Sequence, residues 1–365
     1  MERSPQAKLA AILFIYHNNT PRYFNLYVVP LQAVKKIMKK KNILKGVLFV
    51  GIGASIYGML ATFVKMAYHD GFTTSEVTTS QFVLGLIGLL ILNLIQTLTS
   101  KKKLSMPSSK EVRMLMLAGT SLGGTSLFYY IAVQYINVSI AIVLLMQSVW
   151  FSVVVESIIT KKLPNARKIV AVIIVLLGTV LATNLINMEI ELDWHGIFWG
   201  LMAAASYTLT MFTSNTLATH LPVFRKSIIM LAGGSIVVFA FLFFAQIGPM
   251  YFDGLKAFYL NFTENTEHIH SFNYSIFLTY GFVLALFGTI IPPILFNIGF
   301  PNAGLGLGSI VSSLELPVSV TMAFVLLGEQ VFLIQWVGII LILFAIVLMN
   351  LPSKKEKEVS MAEVS

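Results

Sequence analysis

Apolar residues in this chain gather into ten runs, at about 46–68, 75–98, 113–135, 138–160, 167–186, 195–218, 225–247, 274–299, 303–327 and 332–351. Each is near the ~20 residues that carry an α-helix across the hydrocarbon of a bilayer. The polar residues between them form short connections, apart from GPMYFDGLKAFYLNFTENTEHIHSFN at 248–273. A backbone surrounded by lipid must satisfy its own hydrogen bonds, so the pattern predicts an all-α integral membrane protein of ten transmembrane helices. An even number of crossings leaves both ends on one side. The first 42 residues stand outside this plan. LAAILFIY at 9–16 is too short to span, and no small-residue cleavage site completes a signal peptide. Two readings stand for this basic extension: a tail outside the fold, or translation beginning at Met38, where MKKKNILKG leads straight into the first run. The polar segment 352–365 is a second tail.

Composition agrees with the pattern. Hydrophobic residues make up 56% of the chain and charged ones 11%, against roughly 25% charge in an ordinary soluble domain. The absence of cysteine removes disulfides, thiolate metal sites and cysteine nucleophiles. A net charge of +9 would suggest nucleic acid if it were spread evenly, but it is segregated by connection. Lys110, Arg113, Lys161, Lys162, Arg167, Lys168, Arg225 and Lys226 fall on alternate connections, while Asp70, Glu76, Asp193, Asp253 and Glu329 fall on the others. That alternation assigns the basic connections and both termini to the cytoplasm and the chain to the cytoplasmic membrane, with no nucleic-acid partner.

The chain also repeats internally. A shift of 150 positions lays Gly46 on Gly196, Ala54 on Ala204 and Tyr57 on Tyr207; a shift of 165 lays Gly123 on Gly288 and Asn137 on Asn302. YINVSIAIVLLMQS and FPNAGLGLGSIVSS then share a turn with Asn, small residues and a polar pair, Gln147 with Ser148 and Ser312 with Ser313. Two five-helix repeats, 43–186 and 193–351, would have opposite orientations, and inverted-repeat transporters bind substrate near the midplane between such halves.

YGMLATFVK at 57–65 resembles the first helix of the drug/metabolite transporter superfamily, EamA-type branch. SSLELPVSVTMAFVLLGEQVFLIQWVGIILIL at 312–343 resembles the end of that family's repeat, with Glu and Pro in the ninth helix and a glycine-bearing tenth. The likeness extends over about 43–351. It departs at Leu316, inserted between Glu315 and Pro317, and in the first repeat, where QSVWFSVVVESIITKKLP has no proline at the matching place. The resemblance implies an EamA-type permease: a secondary transporter of small metabolites, often an exporter.

Depth and chemistry mark the candidate residues. Glu315 lies near the middle of the ninth run, where a carboxylate costs about 2.5–3.5 kcal/mol. It faces protein or water there, either as a structural plug or as a group that exchanges a proton with substrate. Pro317 removes a backbone N–H and is expected to free the carbonyl of Ser313 and break the helix. Lys65 either snorkels to the interface or, as the resemblance suggests, faces the cavity. Tyr57, Tyr207 and Trp150 are cavity-lining or packing aromatics, and Gln147, Ser312 and Ser313 are polar candidates beside them. Asn137 and Asn302 are expected to cap the starts of the fourth and ninth helices. Gly119 with Gly123, and Gly304 with Gly308, are expected to let helices approach closely. His268 and His270 beside Glu267 lack further ligands at a metal-site spacing, so no metal or cofactor is expected.

No G-x-x-x-x-G-K-[ST] loop is present to bind ATP, and no H-E-x-x-H to bind zinc. Arg113, Arg167 and Arg225 sit at the ends of runs and no arginine lies deeper, which disfavours phosphorylated substrates and leaves a neutral, zwitterionic or cationic metabolite. The expected partners are the lipid bilayer, that small molecule and protons; the chain fits a monomer or a homodimer. A membrane scaffold or sensor built on the same fold without turnover is the competing reading, because function rests on the site rather than the fold.

Overall fold

The computed structural model describes residues 31–100, 104–136, 138–184, 193–262, 270–328 and 330–350. Contacts divide the chain into Met1–Lys41 and Asn42–Ser365, and the helical bundle belongs to the second unit. Met38 and the rest of the 1–42 extension before Asn42 lie outside the residues whose side chains are described, and Asn137 and Glu329 are also outside them.

Among the described residues the fold is helical, with no strand. Helices α1 (Leu31–His69), α2 (Thr74–Thr99) and α3 (Ser109–Tyr135) lead to a broken pair, α4 (Val138–Leu145) and α5 (Ser148–Thr160), and then to α6 (Ala166–Ala182). The second half begins with α7 (Trp194–Thr216) and α8 (Val223–Leu242), which runs through a π-helical stretch Phe243–Ile247 into α9 (Gly248–Tyr251). The short α10 (Asp253–Phe262) comes next. Then α11 (Gly281–Leu284) continues through a π-helical stretch Ala285–Ile290 into α12 (Ile291–Ala303). A second broken pair, α13 (Leu305–Ser312) and α14 (Glu315–Leu327), precedes α15 (Leu333–Asn350).

Helix starts are written locally in the sequence. Thr73 with Glu76 and Ser108 with Glu111 form reciprocal capping boxes, and Asn165 and Asp193 cap α6 and α7. Among the described residues, six stretches are long and apolar enough to cross a membrane: Asn42–His69, Thr74–Thr99, Ile140–Thr160, Val223–Tyr251, Gly281–Ala303 and Leu305–Leu326. The expected ten are thus met in part. Helices α3 and α7 carry many Gly, Ser and Thr residues, and α6 and α15 are short, so these four fall below that measure. The apolar outer faces are extensive, including Leu90, Leu94 and Leu98 on α2 and Ile340, Phe344 and Val347 on α15, each about half exposed or more. Lipid is the medium that accommodates such surface.

The two broken pairs share one plan. Each has eight residues, a two-residue turn and thirteen residues. Every boundary of the second lies 167 positions beyond the first: 138 to 305, 148 to 315, and the left-handed closing residues Lys161 and Gly328. The register is therefore 167 here, rather than the 165 suggested by matching asparagines, because α12 runs on to Ala303 and Gly304 makes the turn at φ 83°. Asn302 does not cap α13: its Nδ2 donates back to the Ile298 carbonyl at 2.8 Å within α12. Nor does Pro317 cause the break. The turn falls at Ser313–Leu314, before the proline, and the first pair breaks in the same place with none. Pro317 sits in the first turn of α14, where a missing N–H costs little, and the Ser313 carbonyl accepts the Leu316 N–H at 3.2 Å.

Lipid supplies no hydrophobic drive between helices, so close approach of backbones does much of the joining. Gly119 and Gly123 of α3 meet the backbone of Met230 and Gly234 on α8, as expected. Gly304 and Gly308 differ from expectation: Gly304 is the positive-φ turn with open space around it, and Gly308 receives the ring of Phe300. Gly178 of α6 and Gly338 of α15 face each other. Across the halves, Gly46 of α1 abuts Asn302 and Ala303, while Gly196 of α7 abuts Tyr135 and Ile136. The first helix of each half thus packs on the entry to the broken pair of the other.

Candidate functional site

A cavity of about 200 Å³ lies between α1, α3, α4, α6, α14 and α15. Helix α1 presents Tyr57, Ala61, Lys65 and Tyr68 to it, spaced by three or four residues so that they share one face. Helix α3 contributes Thr125, Ser126, Tyr129 and Tyr130, and Glu315, Ser319 and Ala323 line the opposite wall. The mouth carries Lys65, Tyr68, Thr183, Gln330 and Gln335, at the end of the bundle bearing the acidic connections. The other end is filled by a core that includes Val50, Ala54, Met146, Phe296, Phe300 and Val311.

Glu315 is the deepest charged group in this cavity. It begins α14 immediately after the turn, and the missing side chain of Gly58 lets α1 lie directly against its backbone. Its carboxylate accepts one hydrogen bond among the described residues, from the Tyr207 hydroxyl at 3.3 Å. The Tyr207 ring stacks on Tyr57 with centroids 6.0 Å apart and planes 13° off parallel, and Ser126 lines the cavity with Tyr57. Lys65 is exposed at the mouth, two helical turns beyond Gly58 and so roughly 10 Å from the carboxylate level. The buried Thr62 hydroxyl, also in the wall, has no hydrogen-bond partner among the described residues.

The structure brings together Glu315, Lys65 and Tyr57 on the cavity, with Tyr207 one layer behind. Other expected residues lie elsewhere. Ser312 and Ser313 donate to the carbonyls of Ser309 and Ile310, within their own helix. Gln147 donates to the Val143 carbonyl and accepts from the Trp150 indole at 2.8 Å, and Trp150 is 39% exposed on the outer surface. A polar side chain in a helix bonds its own preceding turn when no cavity faces it.

Among the described residues, two buried charges lie outside the cavity. Glu76, placed among the external charges by sequence, is fully buried and accepts the N–H groups of Thr73, Gln246 and Asn273 at 2.9, 3.1 and 2.7 Å. The T-x-x-E spacing of its capping box was the available signal. His270 stands 3.8 Å from Glu76 and bonds the Ser271 carbonyl; no group of three or more metal-ligating side chains occurs among the described residues. Lys226 is buried and donates to the Thr213 and Ser214 carbonyls at 3.2 and 2.9 Å, satisfying the last turn of α7.

At the closed end, Lys168 of α6 bonds Glu156 of α5 at 2.6 Å, and the pair rests against Gly306 of α13. Carried by the 167-residue register into the second half, Glu156 and Lys168 become Ala323 and Gln335. Both of those line the cavity, Gln335 at its mouth. Helix α13 packs along α5, whereas among the described residues the corresponding α4 and α14 meet more lightly, with Ile142 packed on the cluster that holds Leu316. Equivalent parts of the two halves are closed at one end and parted at the other.

A solved crystal structure described only as that of a protein aligns with a TM-score of 0.63 at 12% identity, covering 83% of this chain and 96% of the other. At that identity the match speaks for the fold alone. No curated protein matches this chain. The model of the EamA-like transporter family matches twice, over residues 44–184 and 194–351, one match for each half of the bundle. With that double match across its helices, this multi-pass membrane chain belongs to the EamA-like transporter family.

Proposed function

We propose that this chain is a secondary transporter with ten crossings in two inverted five-helix repeats, 43–186 and 193–351. It is set in the cytoplasmic membrane with both termini inside, and it exports a small organic solute by alternating access. The observation that carries this reading is the inequality of the two broken pairs. Equally built segments are sealed by an ion pair at one end and splayed around a carboxylate-floored cavity at the other. Exchanging the two arrangements between halves would open the cavity to the opposite side while the site stays in place, which is the motion inverted repeats allow. Positive-inside topology assigns the open mouth to the exterior.

Glu315 is the proposed coupling group. A carboxyl group at the cavity floor trades a proton for solute when its surroundings change, and Tyr57, Tyr129 and Tyr207 are the titratable side chains nearest to it. The test is flux. Vesicles from cells with and without the protein, loaded with a metabolite extract, should differ in the efflux of at least one solute. An imposed pH gradient should drive that solute uphill, and Glu315→Gln should abolish the pH dependence while leaving the folded protein intact. Identical efflux in the two vesicle preparations would leave the scaffold or sensor reading; uphill transport by Glu315→Gln would reduce Glu315 to a structural plug.

A further inference from the structure

Carboxylates within the helical bundle are satisfied in every described case but one. Glu76 accepts three N–H donors, and Glu156 has Lys168 at 2.6 Å. Glu315 has a single tyrosine hydroxyl at 3.3 Å, and its carboxylate faces a cavity. A buried carboxyl group with so few partners either holds a proton or, when ionised, calls for a cation beside it.

The walls select what kind. Tyr57, Tyr68, Tyr129 and Tyr130 line the cavity, and aromatic rings attract compact cations most strongly where water is excluded. The basic side chain of the cavity, Lys65, is two turns away at the mouth. An anion reaching the floor would therefore sit beside a carboxylate without a counter-charge, and a neutral solute would leave the carboxylate's acceptor sites unmet. We propose that the cavity binds a small organic ammonium ion, its positively charged nitrogen against the Glu315 carboxylate and its apolar body against the tyrosines, with a proton taking the nitrogen's place when the site empties. This rests on the cavity being the substrate site of the proposed transporter.

The experiment measures binding, so it does not depend on turnover. Calorimetric titration of the full chain in nanodiscs would use three probes of like shape: 2-phenylethylammonium, 2-phenylethanol and phenylacetate. The ammonium ion should bind at least about tenfold tighter than the other two, since a charge-assisted bond and aromatic contacts together exceed ~1.4 kcal/mol. Glu315→Gln should bring the ammonium down to the level of the alcohol and leave the alcohol unchanged. Should Glu315→Gln fail to fold, Glu315→Asp, which keeps the charge, should retain the order of preference. Equal affinities, no binding of the ammonium to the unaltered chain, a preference for phenylacetate, or an ammonium preference surviving in Glu315→Gln would each overturn the proposal. Ammonium binding without flux in vesicles would uphold the ligand class and defeat the transporter reading; flux of another solute without ammonium binding would do the reverse.

Discussion

Lys65 and Glu315 face the same cavity from different depths, and depth sets what each can do. Lys65 is exposed at the mouth, where its ammonium can stay hydrated. Lys65→Ala should therefore express near the normal level. If the side chain guides or contacts solute, transport falls with a changed concentration dependence; unchanged kinetics would make it an interfacial anchor alone. Glu315 sits where charge is costly, against the backbone of α1. Both residues stood out in the sequence as rare charges inside apolar runs. Ser312 and Ser313 were equally visible there, yet their hydroxyls turn to carbonyls of their own helix. Residue type and depth are local properties, whereas the side of the helix that meets water is set by neighbours.

At the scale of helices, two contacts decide the geometry around the site. A methyl group on Gly58 would fall on the backbone of Glu315, which has no flexible end to move aside. Gly58→Ala should cost roughly 1–3 kcal/mol and lower the thermal unfolding midpoint in detergent. Gly254→Ala, with open space around it, should leave the midpoint unchanged. Equal midpoints for both variants would mean that α1 and α14 are not in close contact. The second contact is the Glu156–Lys168 pair at the closed end, partly exposed and therefore worth ~1 kcal/mol, enough to shift a two-state population about fivefold. Replacing both with glutamine should shift the protein toward opening at that end. The chain has no native cysteine, so Ser309→Cys, at a fully buried position, reports on this directly. It should react faster with a maleimide in the glutamine background, and Ser319→Cys in the cavity should react more slowly. No change at either position would remove the pair from the gate.

For the whole molecule, the alternation of basic and acidic connections makes a prediction independent of the site. Reporter fusions after Lys162 should report cytoplasm and fusions at Gly254 should report the exterior. A cytoplasmic signal at Gly254 would break the inverted arrangement, because the two halves could not then be oppositely oriented. An exterior signal at Gly254 would place the open mouth of the cavity outside, and with it the side from which the described conformation loads.

Hydrophobic periodicity, the distribution of Lys and Arg, and the glycine and glutamate motifs are properties of short stretches, and they were enough to determine a helical membrane protein with repeated halves and its family. They also marked Glu315, since one charge in a long apolar run is conspicuous without any partner being known. The register of the repeat, 167 rather than 165, depended on where α12 ends against α1. The break before α14 belongs to the plan shared by both halves, rather than to Pro317. Which end is sealed rests on Glu156, Lys168 and Gly306, brought together from positions far apart in the chain. Contacts between distant segments have no local signature, and for that reason only the tertiary structure decided them.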